Sequence, residues 1–183
     1  MPASLDDILL YQARILHSAH ATHRALDVAR LRETWLRASL AALQTLDMAR
    51  AEKVRVKRVP DGDGCKLTDG RRVRYLGLDA PEVANYGRPA QPFAREARDF
   101  NRLLLSKGPV ILFPDRGPDQ DKHGRLLRHV FVNGRWLNAA LLLTGLARPY
   151  LLETLHPDLA SQLNQCAVLA QRHRLGLWRS SNH

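Results

Sequence analysis

The sequence predicts an α+β fold, with a long helical N-terminal segment followed by a small barrel of five short strands and three helices. From Ala3 to Val59 the chain contains neither glycine nor proline, which favours long helix. Beyond Glu52, short runs of alternating apolar and polar residues are joined by the hairpin dipeptides Asp69-Gly70 and Asn133-Gly134. Short hairpin-linked strands around one crossover helix are typical of a closed barrel of the OB type.

The helical segment, residues 1–50, is the first of two predicted units, and residues 51–183 are the second. Ser4, followed by two aspartates, is a suitable N-cap. Large apolar residues are absent from residues 17–23, so the pattern fits either one rod or a bend there. Alternate steps of three and four meet apolar residues at nine of twelve positions: Leu5, Ile8, Gln12, Ile15, Ala19, Thr22, Leu26, Ala29, Glu33, Leu36, Leu40 and Leu43. This stripe must be buried, so we expect an arm that docks on the second unit or forms a homodimer.

The second unit contains five predicted strands, at residues 54–59, 65–68, 71–78, 110–113 and 126–132. Three helices are predicted at residues 93–104, at 137–146 and from Pro157 to near Gly176. In strand 71–78, Val73 and Tyr75 share one face, while Arg74 alternates with leucines expected to face the core. An arginine on such a face must meet an anion or line a cleft.

The net charge of +10 lies almost entirely on the second unit. Six basic and five acidic residues precede Ala51, whereas 22 basic and 13 acidic residues follow from there. This imbalance is expected of a polyanion binder. Arginine outnumbers lysine by 23 to 5, so a compositional bias is the alternative explanation.

The cysteines and the apolar runs indicate the compartment. Cys65 and Cys166 lie far apart in no metal-ligand spacing, and we expect two buried free thiols. Residues 1–10 show no basic region followed by an apolar core, and the apolar run 137–147 is too short to span a bilayer. A cytoplasmic location without membrane association is therefore expected, unless a trimmed chain has lost an export signal.

Two carboxylates three residues apart end the strand 71–78, in Asp79-Ala80-Pro81-Glu82. Carboxylates at a strand end can hold a cation, and the guanidinium of Arg74 suits a phosphate. Arg125, after a glycine turn, is a second candidate for phosphate binding. Phosphodiester hydrolysis needs a positioned water, positive charge and a metal, so these residues predict a metal-dependent phosphodiesterase.

These residues, in this order, resemble the staphylococcal nuclease (thermonuclease-like) family over about residues 51–178. Each motif alone is weak evidence for the family, but all of them in order, with matching sequence separations, are a specific signal. The motifs are Asp61-Gly62-Asp63, Arg74, Asp79-Ala80-Pro81-Glu82, Asp121-Lys122-His123-Gly124-Arg125, Asn138-Ala139-Ala140-Leu141, Gly145-Leu146-Ala147 and Leu175-Gly176-Leu177-Trp178.

The resemblance implies an OB-fold nuclease that cleaves DNA and RNA with Ca²⁺, with single strands as the preferred substrate. Glu82 would be the general base or would orient the attacking water, and Lys122 would bind a neighbouring phosphate, a role for which Arg148 is a weaker candidate. The matching positions are Asp63, Asp79 and the Ala80 carbonyl for calcium, Arg74, Glu82 and Arg125 for catalysis, and Lys122 and Arg148 for substrate binding.

The sequence also departs from the family, and other interpretations stay open. Gly64 stands where the family usually has threonine, which could weaken metal binding, and Tyr150 could be displaced from stacking on a base. Asp61 could be only a turn former, and Arg125 could pair with Asp121. A non-catalytic OB-type binding module is the main alternative, although the five central site residues remain. A helical oligomerisation protein with a vestigial second unit is the third possibility.

Overall fold

The structure is a computed structural model that describes residues 4, 6, 7, 9, 27–84 and 87–179. The stretch 17–23, for which the sequence fits either one rod or a bend, lies outside these residues. The described part has an α+β architecture of four helices and nine short strands. The strands are β1 (Glu52–Val54), β2 (Val56–Arg58), β3 (Gly64–Leu67), β4 (Arg72–Tyr75), β5 (Leu78–Asp79), β6 (Val110–Phe113), β7 (Leu126–Val132), β8 (Arg135–Trp136) and β9 (Arg148–Pro149).

Seven of the strands form one mixed sheet in the order β1-β6-β7-β4-β3-β2, with β8 paired to β7. All neighbours are antiparallel except β4 and β7. The remaining strands, β5 and β9, form a separate antiparallel ladder. The predicted α+β class is confirmed, but no closed barrel is detected in the part of the chain that the structure describes. The strands at the two ends of the sheet, β1 and β2, are separated in sequence by Arg55 alone.

The hairpin at Asn133-Gly134 forms as predicted. Both residues have positive φ, 48° and 73°, as the central residues of a type I′ turn require. The turn pairs Val132 with Arg135 and therefore fixes the register of β8 on β7.

The described part contains four helices: α1 (Val28–Thr45), α2 (Ala94–Leu105), α3 (Leu137–Leu143) and α4 (Pro157–Arg172). Of these, α1 packs on β8 and α3 on β7. The last three correspond to the three helices predicted for the second unit. Pro157 occupies the first turn of α4, where its missing N–H costs nothing. None of the described helices is long and apolar enough to cross a membrane.

The buried face of α1 differs from the predicted apolar stripe. Leu36 and Leu40 of that stripe are 36% and 55% exposed. The prediction was wrong here because it counted helical positions continuously from Leu5. The helix α1 begins at Val28 with Asp27 as its N-cap, so its buried positions do not follow that count. The residues that α1 buries are Leu31, Trp35, Ala38, Ser39 and Ala42.

Two hydrogen bonds fasten α1 to the sheet. The indole Nε1 of Trp35 donates to the carbonyl oxygen of Trp136 at 2.8 Å, and the Trp136 N–H donates to the Ser39 hydroxyl at 3.0 Å. The helix also packs along α4 and α3. The helix α1 therefore docks on its own chain. The division of the chain at residue 50, and a homodimer through the arm, stay predictions.

Candidate active site

The side chain of Arg74 lies on the outer face of β4, not on the core-facing side that the alternation predicted. Val73 and Tyr75 fill the core at 2% and 1% exposure. The prediction failed because β4 ends at Tyr75, and Gly77, with φ of 78°, interrupts the alternation before Leu78. A side chain at Gly77 would also clash, since a Cβ there would lie 2.4 Å from the Leu163 Cδ1 atom. This turn directs the chain towards Asp79.

Arg74 forms ion pairs with both Asp63 and Asp79. The Asp63 side chain is only 5% exposed, whereas that of Asp79 is 54% exposed. The Oδ2 atom of Asp63 also accepts a hydrogen bond from the Ala80 N–H at 2.8 Å. Burial raises the pKa of Asp63, although the charge of Arg74 opposes that rise. The structure thus brings together four predicted site residues, with one guanidinium between two carboxylates.

Asp61 is a further member of this cluster that the sequence analysis treated as a turn former. Its Oδ1 atom is buried, with no hydrogen-bond partner among the residues that the structure describes. Burial, followed by the charges of Asp63 and Glu82, raises the pKa of Asp61 to about 6. The available sign was the Asp61-Gly62-Asp63 motif itself, which places two carboxylates close together in sequence just before β3.

The donor chemistry of the cluster suits a hard divalent cation. Asp61, Asp63 and Asp79 supply carboxylate oxygens, Ala80 supplies a backbone carbonyl, and oxygen ligands of this kind bind Ca²⁺. The unpartnered buried oxygen of Asp61 also fits a cation. Even so, no group of three or more acidic, His or Cys side chains in metal-binding geometry was found within the described ranges. Arg74 is the cation that the Asp63 and Asp79 carboxylates contact in this structure.

Glu82 follows the cluster on an exposed stretch of chain. Its backbone is fixed by two hydrogen bonds with Gln91: the Glu82 N–H donates to Gln91 Oε1 at 2.8 Å, and the Gln91 N–H donates to the Glu82 carbonyl at 2.9 Å. Burial and the charge of Asp63 raise the pKa of Asp61, and the charge of Glu82 adds to that rise.

Arg125 and Lys122 lie on the loop that leads into β7. The Asp121 carboxylate accepts hydrogen bonds from the Arg125 Nε at 2.7 Å and from the Arg125 and His123 N–H groups at 3.0 and 2.9 Å. Partial desolvation would raise the pKa of Asp121, but these donors outweigh it and lower the pKa to about 2. The pairing of Asp121 with Arg125, left open by the sequence, is therefore present. Lys122 is exposed.

The register of the sheet relates this loop to Arg74. Arg74 lies opposite Leu127 in the parallel β4–β7 pair, and residues two apart in a strand share a face. Arg125, two residues before Leu127, therefore lies on the same face as Arg74. Within the described residues, no hydrogen bond or ion pair joins Lys122 or Arg125 to the aspartate cluster.

Arg148 lies beside the cluster, directly opposite Asp79 in the β5–β9 ladder. Its guanidinium carbon is 4.6 Å from the centroid of the Trp178 ring, a cation–π distance. The sequence could not place Arg148 in this way, because both strands of the ladder are only two residues long. A cleft of about 420 Å³ adjoins this pair, lined by Asp79, Ala80, Pro81, Gln91, Pro92, Phe93, Arg148, Gly176 and Leu177.

The structure gives a reason for glycine at position 64. A Cβ atom there would lie 2.8 Å from the Val73 carbonyl oxygen and 3.1 Å from the Asp61 Oδ1 atom. The first distance is to backbone, which cannot rotate away. Glycine replaces the family's threonine at a position where β3 and β4 lie too close together for a side chain.

The comparisons with known proteins show the family to which the chain belongs. Residues 72–180 match the family model described as staphylococcal nuclease homologue, and the chain belongs to this family. It is 35% identical over 132 residues to the thermonuclease of Staphylococcus intermedius, covering 70% of this chain and 77% of that protein. It is 32% identical over 133 residues to two Bacillus subtilis (strain 168) proteins, the SPbeta prophage-derived endonuclease YokF and the endonuclease YncB. These matches cover 71% of this chain but only 45% and 63% of the two endonucleases.

Proposed function

We propose that this protein is a calcium-dependent nuclease that hydrolyses phosphodiester bonds of DNA and RNA without preference for the sugar. The observation that carries the proposal is the set of carboxylates that gathers around Arg74, namely Asp61, Asp63 and Asp79, because oxygen donors of this kind suit calcium. Membership of the staphylococcal nuclease homologue family supports it, as do relatives named thermonuclease and endonuclease. Single-stranded substrates are preferred in this proposal.

Asp63, Asp79 and the Ala80 carbonyl would hold the calcium ion, with Asp61 as a further oxygen donor. Burial disfavours the ionised forms of Asp61 and Asp63, so a nearby divalent cation would stabilise both carboxylates. The bound ion supplies positive charge that polarises the phosphate.

The remaining steps fall to the side chains. Glu82 orients the attacking water and accepts its proton. Arg74 and Arg125 donate hydrogen bonds to the non-bridging phosphate oxygens, a task that suits a planar donor fork. Their guanidinium groups contact aspartates in the free protein. Each arginine must therefore exchange some of its hydrogen bonds to these carboxylates for hydrogen bonds to the phosphate. Lys122 and Arg148 bind neighbouring phosphates.

We further infer that the mixed sheet closes into the predicted five-stranded OB-type barrel. The strands at the two ends of the sheet, β1 and β2, are consecutive in sequence, and the Thr68 N–H donates to the carbonyl of the intervening Arg55 at 3.0 Å. Counting β1 and β2 as one interrupted strand leaves β3, β4, β6 and β7 as the other four.

The docking of α1 supports an arm that acts within one chain, and a cytoplasmic location stays a prediction.

A non-catalytic binding module is the alternative function. It is favoured by one observation: both catalytic arginines are engaged by carboxylates, Arg74 with Asp63 and Asp79, and Arg125 with Asp121. If these pairs persist when nucleic acid binds, the phosphate would receive little help from either guanidinium.

Cleavage of single-stranded DNA and RNA, with Ca²⁺ or with EDTA, separates the two functions. We expect the protein to cleave both polymers only with Ca²⁺, and Asp63→Asn to lose cleavage. Asp69→Asn, which alters an exposed turn carboxylate bound to Arg71, should cleave normally. Cleavage in EDTA, or undiminished cleavage by Asp63→Asn, would refute the proposed site. Binding without cleavage would support the binding module.

A further inference from the structure

Three basic residues lie side by side across the outer face of the sheet. Arg58 of β2 is the register partner of Lys66 of β3, and Lys66 is in turn the partner of Arg72 of β4. All three are exposed. We call Arg58, Lys66 and Arg72 the basic ladder.

The charges of the basic ladder are not neutralised within the described residues. No carboxylate in these ranges forms an ion pair with any of the three, and Arg72 donates only to the carbonyl oxygen of His123. Arg71, the neighbour of Arg72, contacts both Glu52 and Asp69. Like charges directly opposite in a sheet destabilise it. The basic ladder therefore has an electrostatic cost that a bound polyanion would remove.

The basic ladder is continuous with the proposed active site. Arg72 and Arg74 lie on the same face of β4, about 7 Å apart along the strand. Arg125 lies one step before the Val73–Leu126 pair, in line with Arg72 on the adjacent strand. From Arg125 to Arg58 the row crosses four strands, about 14 Å at the usual strand spacing. A row of this length presents basic side chains to more than one phosphate of a bound strand.

Further positive charge lies at the Arg58 end. A cleft of about 390 Å³ between β2 and α2 is lined by Lys57, Arg58, Arg98 and Arg102 among other residues. Arg98 and Arg102 contact Asp99, so their charge is partly balanced, whereas Lys57 forms no ion pair in the described part of the chain. The positive surface thus extends past the sheet edge, away from Arg74.

We propose that the basic ladder is an extended binding track for the single-stranded polynucleotide that flanks the scissile phosphate. This inference rests on the proposed function, because it places the scissile phosphate at Arg74. Because its three side chains are all cationic, the track binds the sugar-phosphate backbone and adds affinity without sequence preference.

The test is binding of a fluorescent 16-nucleotide single strand in EDTA, measured by anisotropy at several salt concentrations. Each phosphate contact on a single strand contributes about 0.7 to the salt slope, so Arg58→Gln with Lys66→Gln should lower the slope by about 1.4. At 0.1 M salt this corresponds to roughly 25-fold weaker binding. The matched control is Arg30→Gln with Arg172→Gln, which removes the same charge from the groove between α1 and α4. An equal loss in both double variants, or none in the first, would overturn the proposal.

A charge reversal separates binding from folding. Lys66→Glu places a carboxylate between Arg58 and Arg72, so the melting temperature should rise while polynucleotide binding weakens further. If Lys66 has a structural role, the substitution would instead lower the melting temperature as well as the binding. Binding is measured in EDTA, where no cleavage is expected. If the ladder variants weaken binding but the wild-type protein never cleaves under any condition, the nuclease proposal is refuted and the binding track stands. Cleavage with ladder-independent binding would refute the track alone.

Discussion

The guanidinium of Arg74 and the carboxylate of Asp63 form an ion pair that solvent hardly reaches, with 12% and 5% of the two side chains exposed. Removing one partner of such a pair leaves an uncompensated charge in a poorly solvated site. The same guanidinium contacts Asp79, so Arg74 holds the cluster together in the absence of metal.

Replacing Arg74 by methionine should therefore destabilise the metal-free protein by about 3 kcal/mol. Calcium should restore part of this loss, because it supplies positive charge beside the same carboxylates. Urea unfolding with and without CaCl₂ measures both effects. Arg37→Met, which removes an exposed partner of Glu33, is the control and should cost less than about 1 kcal/mol. An equal loss with and without calcium would contradict a metal site at this cluster.

Restoring the family's threonine at position 64 should harm this protein. Because the new Cβ would approach the Val73 carbonyl oxygen to 2.8 Å, Gly64→Thr should lower the free energy of unfolding by about 1–3 kcal/mol. Calorimetry of calcium binding should show no gain in affinity. Gly117→Thr, at a site with no atom within 4 Å of the new Cβ, should be nearly neutral. A stable Gly64→Thr variant with tighter calcium binding would show that the hydroxyl is accommodated.

The Ser39 hydroxyl contributes to the docking of α1. Ser39→Ala leaves the buried Trp136 N–H without its acceptor, which should cost about 1–3 kcal/mol of unfolding free energy. Thr45→Ala, whose hydroxyl bonds only the Ala41 carbonyl within the helix, is the matched control. Chemical denaturation compares the two, and equal small losses would mean that the Ser39 bond does not fasten the helix.

Stability should also depend on pH through His129. Complete burial lowers the pKa of His129 below its ordinary value of 6.5, although the Asp115 carboxylate, 3.1 Å away, opposes that shift. As the pH falls below 6.5, the unfolded chain takes up a proton that the folded protein resists, so this contribution to stability declines. The His129→Gln variant has no imidazole at this position and therefore lacks this pH-dependent contribution. The difference in unfolding free energy between wild type and variant should shrink from pH 8 to pH 5. A constant difference over this range, in denaturation curves, would contradict a neutral buried imidazole.

Local sequence patterns predicted much of the sheet and the later helices. The bounds of β6 and β7 match their predicted ranges, and α4 begins at Pro157 as expected. These elements have strong local signatures: continuous β-branched or aromatic runs, a hairpin dipeptide, and proline at a helix start. The positions of Asp63, Arg74, Asp79 and Ala80 in one cluster also agree with their place in the family motifs.

The failures share a different cause, since each depends on contacts between distant parts of the chain. The buried face of α1 contacts Trp136, about a hundred residues further on, and leaves Leu36 and Leu40 exposed. The burial of Asp61 arises from tertiary packing that a turn motif does not reveal. The pairing of Asp79 with Arg148 uses strands too short for any periodicity.

The most direct test of the nuclease proposal is calcium-dependent cleavage of single-stranded DNA by wild type and Glu82→Gln. General acid–base catalysis contributes about 10²–10⁴-fold, so the variant should cleave at least about 100-fold more slowly while it still binds the DNA. Glu96→Gln, at an exposed position on α2, should cleave like wild type. Undiminished cleavage by Glu82→Gln, or wild-type cleavage that survives EDTA, would contradict the assigned active site.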